Sequence, residues 1–153
     1  MSLSTRETSK HITILLNGTL TSLKSVIPIG HEIERPRLLQ TPLKLEYGVL
    51  IGITGDVKGK LILSGKPSTF GTIGTSMFGM ELEGDMLESF SGELGNMIAG
   101  KLATSIYEEQ VEIDITYPTV LQGKTMVSGY NKAILVSAWF ADCGEMEIYV
   151  LLD

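Results

Sequence analysis

Long apolar runs are missing from this chain: nothing in it approaches the roughly 20 consecutive apolar residues that a membrane-spanning helix requires. The opening MSLSTRETSK also lacks the apolar centre of a secretory signal, so a soluble, cytoplasmic protein without membrane attachment is expected. Cysteine is nearly absent as well. Cys143 stands alone, which excludes an internal disulfide and any cysteine-based metal spacing, and a buried structural thiol is its expected role. His11 and His31 have no companions at ligand spacing, so no metal is expected. Positive charge is in deficit: 12 lysines and arginines face 18 acidic residues, for a net charge of −6. No basic cluster exceeds a pair, and a phosphate backbone would be repelled, which argues against nucleic acid.

What the chain does have is enough for one packed domain spanning residues 1–153, with 43% apolar and 20% charged residues. Ser4-Thr5-Arg6-Glu7 has capping-box spacing, and Ile12, Leu15, Leu16, Leu20 and Leu23 then recur at helical spacing until Pro28. Pro36 and Pro42 mark the next segment as an edge strand or irregular stretch. YGVLIGITG and GKLILSG read as a hairpin about Asp56-Val57-Lys58. Pro67 opens a short helix ending near Phe78, striped by Phe70, Ile73 and Met77, and a longer helix runs from about Asp85 to Glu109. In VEIDITYP, alternation places Val111, Ile113, Ile115 and Tyr117 on one face of a half-buried strand stopped by Pro118. Strands near Lys124–Ser128, in KAILVSAWFAD and in EMEIYVLL complete the pattern, the last two joined around Gly144. The expected fold is a single α/β (α+β) domain, a mostly antiparallel sheet with about three helices on one face.

Two motif readings fail. SGKPS has Lys60 and Pro67 where a Walker A loop needs Gly and Ser or Thr. No G-x-S-x-G elbow occurs. Met77, Met80, Met86 and Met97 are expected to fill gaps in the core.

The informative stretch is ESFSGELGNMIAGKLA, Glu88–Ala103. It is helical in pattern, yet Gly92, Gly95 and Gly100 fall within nine residues, each costing about 1 kcal/mol relative to alanine. Leu87, Phe90, Leu94, Ile98 and Leu102 form one apolar stripe, bordered by Met86 and Met97. Ser89, Glu93, Asn96 and Gly100 project on nearly the opposite side, flanked by Gly92, Ala99 and Ala103. Glu93 and Asn96 are helix neighbours. Such a face, one acid and one amide with little bulk around them, permits close approach by another body. A merely solvated face fits the spacing too, and glycines also serve packing between helices.

These residues resemble a known signature. Ser89, Glu93 and Asn96 form S-x3-E-x2-N, and Pro118 of TYPTVLQG follows after 21 residues. This pattern, with the words ELGNMIAG and YPTV and the order of elements, resembles the CheC/CheX/FliY family of chemotaxis phosphatases. The resemblance spans most of the chain, from the first helix to the last strand. Setting Asn17 against Asn96 puts Ile14 at the place of Glu93 and Lys10 at that of Ser89, so a second, repeated site lacks its carboxylate. A single-site, CheX-like member is implied.

The resemblance implies hydrolysis of the aspartyl-phosphate on a phosphorylated CheY-type response regulator, ending a chemotaxis-type signal. Asn96 would hold the attacking water and Glu93 would contact the partner's active-site lysine. Ser89, Gly92 and Gly100 are expected at the partner surface: the glycines let a short asparagine reach a recessed site, whereas Ser89 serves equally well by satisfying a helix carbonyl. Gly95 belongs to packing and Pro118 to the architecture. No cofactor of its own is implied, Mg²⁺ being expected in the partner's phosphorylation site, and a homodimer joined through sheet edges is implied too. The alternative is a non-catalytic adaptor that docks a response regulator or a flagellar switch component.

Overall fold

The computed structural model describes residues 5–153, with side chains described from residue 9 onward. The expected capping box therefore lies outside the described residues. Chain order is α1 (Thr5–Val26), β1 (His31–Ile33), β2 (Arg37–Leu38), β3 (Leu43–Gly55), β4 (Gly59–Gly65), α2 (Pro67–Phe78), α3 (Gly84–Tyr107), β5 (Ile113–Ile115), β6 (Thr119–Val127), β7 (Lys132–Phe140) and β8 (Gly144–Leu152).

The strands form one eight-stranded antiparallel sheet in the order β1-β7-β8-β4-β3-β5, with β2 also on β7 and β6 also on β3. The prolines behave as expected: Pro36 separates two very short edge strands and Pro42 precedes β3. All three helices cover one face. Leu15 and Leu23 of α1, Phe70 and Ile73 of α2, and Leu94 and Ile98 of α3 are fully buried against Val49, Ile51 and Leu63 of the sheet. Each such side chain contributes about 1.5–3 kcal/mol by leaving water.

The opposite face buries a smaller cluster, including Ile62, Leu135, Tyr149 and Leu151, with no helix over it. Its cover comes from the sheet itself. β3 and β6 run beyond the hairpin core, and their register slips between Leu45 and Tyr47, where Gly123 and Lys124 of β6 face the single Glu46. Gly123 has φ +86°, the left-handed conformation such a bulge requires. Past the bulge Leu43 and Leu45 turn to the helix-free face, together with Leu121 and Val127.

Two expectations need correction. The strand VEIDITYP ends at Ile115 rather than at Pro118, because the Thr116 hydroxyl accepts the Gly52 N–H at 2.8 Å and ends the ladder. Alternation stops with it, so Tyr117 is 93% exposed instead of sharing the core face of Val111 and Ile113. Met80, Met86 and Met97 are also exposed rather than core fillers, since they lie in the α2–α3 connection or at the rim of the α3 stripe, beyond reach of the sheet. Cys143 is half-buried in the β7–β8 turn, and burial pushes its thiol pKa up.

Candidate functional site

The candidate site is the outer face of α3. The helix begins after Glu83, carries Asp85 in its first turn to complement the positive end of its dipole, and runs 24 residues. It ends where Gln110 adopts φ +65° and the Val111 N–H returns to the Ile106 carbonyl at 3.1 Å. Phe90, Leu94, Ile98 and Leu102 hold the inner face down, and Phe78 of α2 meets the Phe90 ring edge-on at 5.6 Å.

The rotation of α3 about its own axis has a polar lock. Ser91 is fully buried; its hydroxyl donates to the Leu87 carbonyl at 2.8 Å and lies 2.7 Å from the Tyr47 hydroxyl, which then donates to Ser91. Tyr47 is itself clamped edge-on against Phe70 at 5.2 Å. Burial raises the Tyr47 pKa, so the phenol stays protonated and a donor at neutral pH. At about 100° per residue Ser91 points nearly opposite to both Glu93 and Asn96. A hydrogen bond on the inner side therefore fixes what faces outward. Sequence reading missed this pair: nothing along the chain joins positions 44 residues apart, though a serine inside the apolar stripe of α3 was a visible anomaly.

Outward, Ser89, Glu93 and Asn96 are all exposed. Glu93 and Asn96 stand about 60° apart around the helix and about 4.5 Å apart along it. The back-bonding role considered for Ser89 belongs to Ser91. The three glycines separate by what a Cβ would meet. At Gly100 there is nothing within 4 Å, so that position leaves the ridge bare. At Gly95 a Cβ would stand 2.7 Å from Val49 and 3.1 Å from Ile51, so this glycine lets α3 settle onto the sheet.

Gly92 departs from expectation. It is buried, with Val120 at 3.6 Å and Pro118 at 3.9 Å from a would-be Cβ, and the protein's own β5–β6 connection covers it. A Cβ here would only touch Val120 and Pro118 at ordinary contact distance, so this position lies under the protein's own chain rather than on the open ridge. Ala99 and Ala103 lie on the same flank as Gly92. Pro118, half-buried, abuts the helix beside the ridge.

Among the described residues no group of three or more His, Cys, Asp or Glu is arranged to hold a metal ion. His31 takes a structural place, with Nδ1 3.0 Å from the Ile29 carbonyl and its ring 5.0 Å from Phe140. Among the described residues, two clefts lie beside the β3–β6 arm and the N-terminal end of α2, and neither is lined by Glu93 or Asn96. Glu93 and Asn96 stand exposed on a helix face rather than inside a pocket of the kind that encloses a small ligand.

Comparison with known proteins adds three findings. The family model described as "Chemotaxis phosphatase CheX" matches residues 47–136, which include the whole of α3 and Pro118. A protein named CheY-P phosphatase CheX, from Thermotoga maritima, is 31% identical over 120 residues, covering 75% of this chain and 77% of that one. Among solved structures, a chemotaxis protein CheX from Desulfovibrio desulfuricans superimposes with a TM-score of 0.76 at 18% identity, over 92% of this chain and 97% of its own. A CheX–CheY–BeF3–Mg²⁺ complex from Borrelia burgdorferi gives 0.75 at 22% identity, over 92% and 96%. At those identities the structures speak for the fold.

Proposed function

The chain belongs to the CheX family of chemotaxis phosphatases, and on that premise we propose that it hydrolyses the aspartyl-phosphate of a phosphorylated CheY-type receiver, ending the receiver's signal. The observation that carries this reading is the joint exposure of Glu93 and Asn96 on one helix face, with none of the described residues burying them.

Phosphoryl transfer asks chiefly for positioning and charge stabilisation. The receiver would bring the phosphorylated aspartate, its own lysine and Mg²⁺; the Borrelia complex holds a CheX and a CheY with BeF3 and Mg²⁺. What remains is a water in line with the scissile bond. The Asn96 side-chain carbonyl accepts a hydrogen from that water and leaves a lone pair aimed at phosphorus; the amide offers donor and acceptor together and never changes charge. Water oxygen bonds to phosphorus, the bond between phosphorus and the aspartyl oxygen breaks, and the products are inorganic phosphate and a free carboxylate. The water's proton leaves with phosphate or to solvent. Glu93 pairs with the receiver's lysine through a charge-assisted hydrogen bond, seating the ridge so that Asn96 arrives in register. Gly100 keeps the helix backbone close enough for so short a side chain.

On the same premise the protein works in the cytoplasm as a homodimer joined at sheet edges. Among the described residues β1 and β2 form one edge and β5 and β6 the other, and no helix is long and apolar enough to cross a membrane. Sedimentation at about twice 16.6 kDa is expected. The functional test is the decay of phosphorylated receivers encoded near the gene, with and without the protein. Accelerated decay supports the phosphatase; tight association with unchanged decay would instead make the chain an adaptor.

A further inference from the structure

Tyr117 is the most exposed of the large apolar and aromatic side chains among the described residues, at 93%. Scattered exposed aromatics are ordinary; this one differs in how it is held. The preceding Thr116 is pinned to β3 twice, its N–H donating to the Gly52 carbonyl at 3.0 Å and its hydroxyl accepting the Gly52 N–H at 2.8 Å. That hydroxyl also reaches the Tyr117 carbonyl at 3.3 Å. The following Pro118 rests against Gly92 of α3, 3.9 Å from a would-be Cβ. A fixed backbone thus holds a nearly fully solvated side chain one residue from the proline that meets α3 at Gly92. Across the ridge stand Met86 and Met97, 55% and 37% exposed.

The polar tips are therefore bracketed by apolar groups on both sides. A protein interface combines apolar anchors with a few placed polar groups, and tyrosine serves well as an anchor because only two torsions are lost when its backbone is already fixed. Its ring packs on apolar surface while its hydroxyl stays hydrogen-bonded at the edge.

We propose that Tyr117 is a docking anchor for the phosphorylated receiver, packing on the rim of the receiver's phosphorylation cleft while Glu93 and Asn96 enter it. This rests on the function proposed above and assigns affinity and chemistry to different residues of one surface. The commitment is to a receiver domain, because the anchor is continuous with the ridge that meets it.

Steady-state hydrolysis by Tyr117→Ala tests it. KM for the phosphorylated receiver is expected to rise about tenfold, the scale of a single interface anchor, with kcat within about twofold of wild type. Tyr117→Phe should keep most of the affinity, and Met126→Ala, exposed on the distant arm of β6, should change neither constant. The side chain is solvated, so the melting temperature should not move. An unchanged KM for Tyr117→Ala beside an active wild type overturns the anchor and leaves the phosphatase standing, as does a fall in kcat alone. Wild-type protein that neither hydrolyses phosphorylated receivers nor binds beryllofluoride-loaded ones overturns both.

Discussion

Helices α1 and α3 pack against each other on the same face of the sheet, with 22 and 24 residues and similar amphipathic phase. When Asn17 is set beside Asn96, Lys10 takes the place of Ser89 and Ile14 that of Glu93. Asn17 and Lys10 are exposed, like their counterparts, but Ile14 is half-buried against the core. At the place where α3 presents the exposed carboxylate of Glu93, α1 thus has an apolar side chain turned toward the core. The glycines differ in the same sense. A Cβ at Gly18 of α1 would stand 2.6 Å from Ile106 and 2.8 Å from Leu102, so that glycine lets α1 and α3 touch, whereas Gly100 faces open space. One residue type closes an internal contact in α1 and leaves open space at Gly100 of α3. What a Cβ would meet, and not the glycine itself, tells the two uses apart.

The contrast can be broken experimentally, the largest effect first. Gly100→Leu should bring phospho-receiver decay down to the receiver's own rate while circular dichroism and melting stay native, since a Cβ there meets nothing within 4 Å among the described residues. Glu93→Ala should lower kcat/KM by about tenfold, the usual scale of one charge-assisted contact, in a stopped-flow or phosphate-release assay. Alanine at the two open and closed glycines sharpens the difference in stability. Gly18→Ala should destabilise by about 1–3 kcal/mol in urea unfolding through overpacking, and Gly100→Ala should stabilise by up to about 1 kcal/mol through helix propensity.

The smallest effect concerns the lock beneath α3. Tyr47→Phe should cost about 1 kcal/mol, because Ser91 keeps its bond to Leu87 and loses only a donor. Its pH signature is more specific. Burial raises the pKa of both Tyr47 and Tyr149, so the protonated phenols favour the folded state. Their contribution is complete below the ordinary tyrosine value of about 10 and is lost as pH rises through the higher folded-state values. Stability should therefore fall above about pH 10, and less steeply in Tyr47→Phe.

Much of this was legible along the chain. Pro67 and Phe78 bound α2, as read from the stripe of Phe70 and Ile73, and α3 falls within two residues of its expected ends. Those elements are governed by near neighbours, where periodicity has force. Ser89, Glu93 and Asn96 share the outer face for the same reason. What escaped depends on distant partners. Gly92 owes its burial to Pro118 and Val120, which arrive from another element. Tyr117 left the core face because Thr116 bonded to Gly52 instead of continuing the strand. The bulge at Gly123 re-aims the first residues of β3, Leu43 and Leu45, and alternation cannot foresee a slip in register.

The account stands or falls on Asn96. Phospho-receiver decay measured at saturating wild-type or Asn96→Ala protein, with affinity for the beryllofluoride-loaded receiver measured alongside, separates aiming a water from binding. A loss of about 100-fold or more in the saturated rate with affinity nearly unchanged is the expected result. A saturated rate equal to wild type would show that the amide does not position the attacking water, and the proposed chemistry would be wrong.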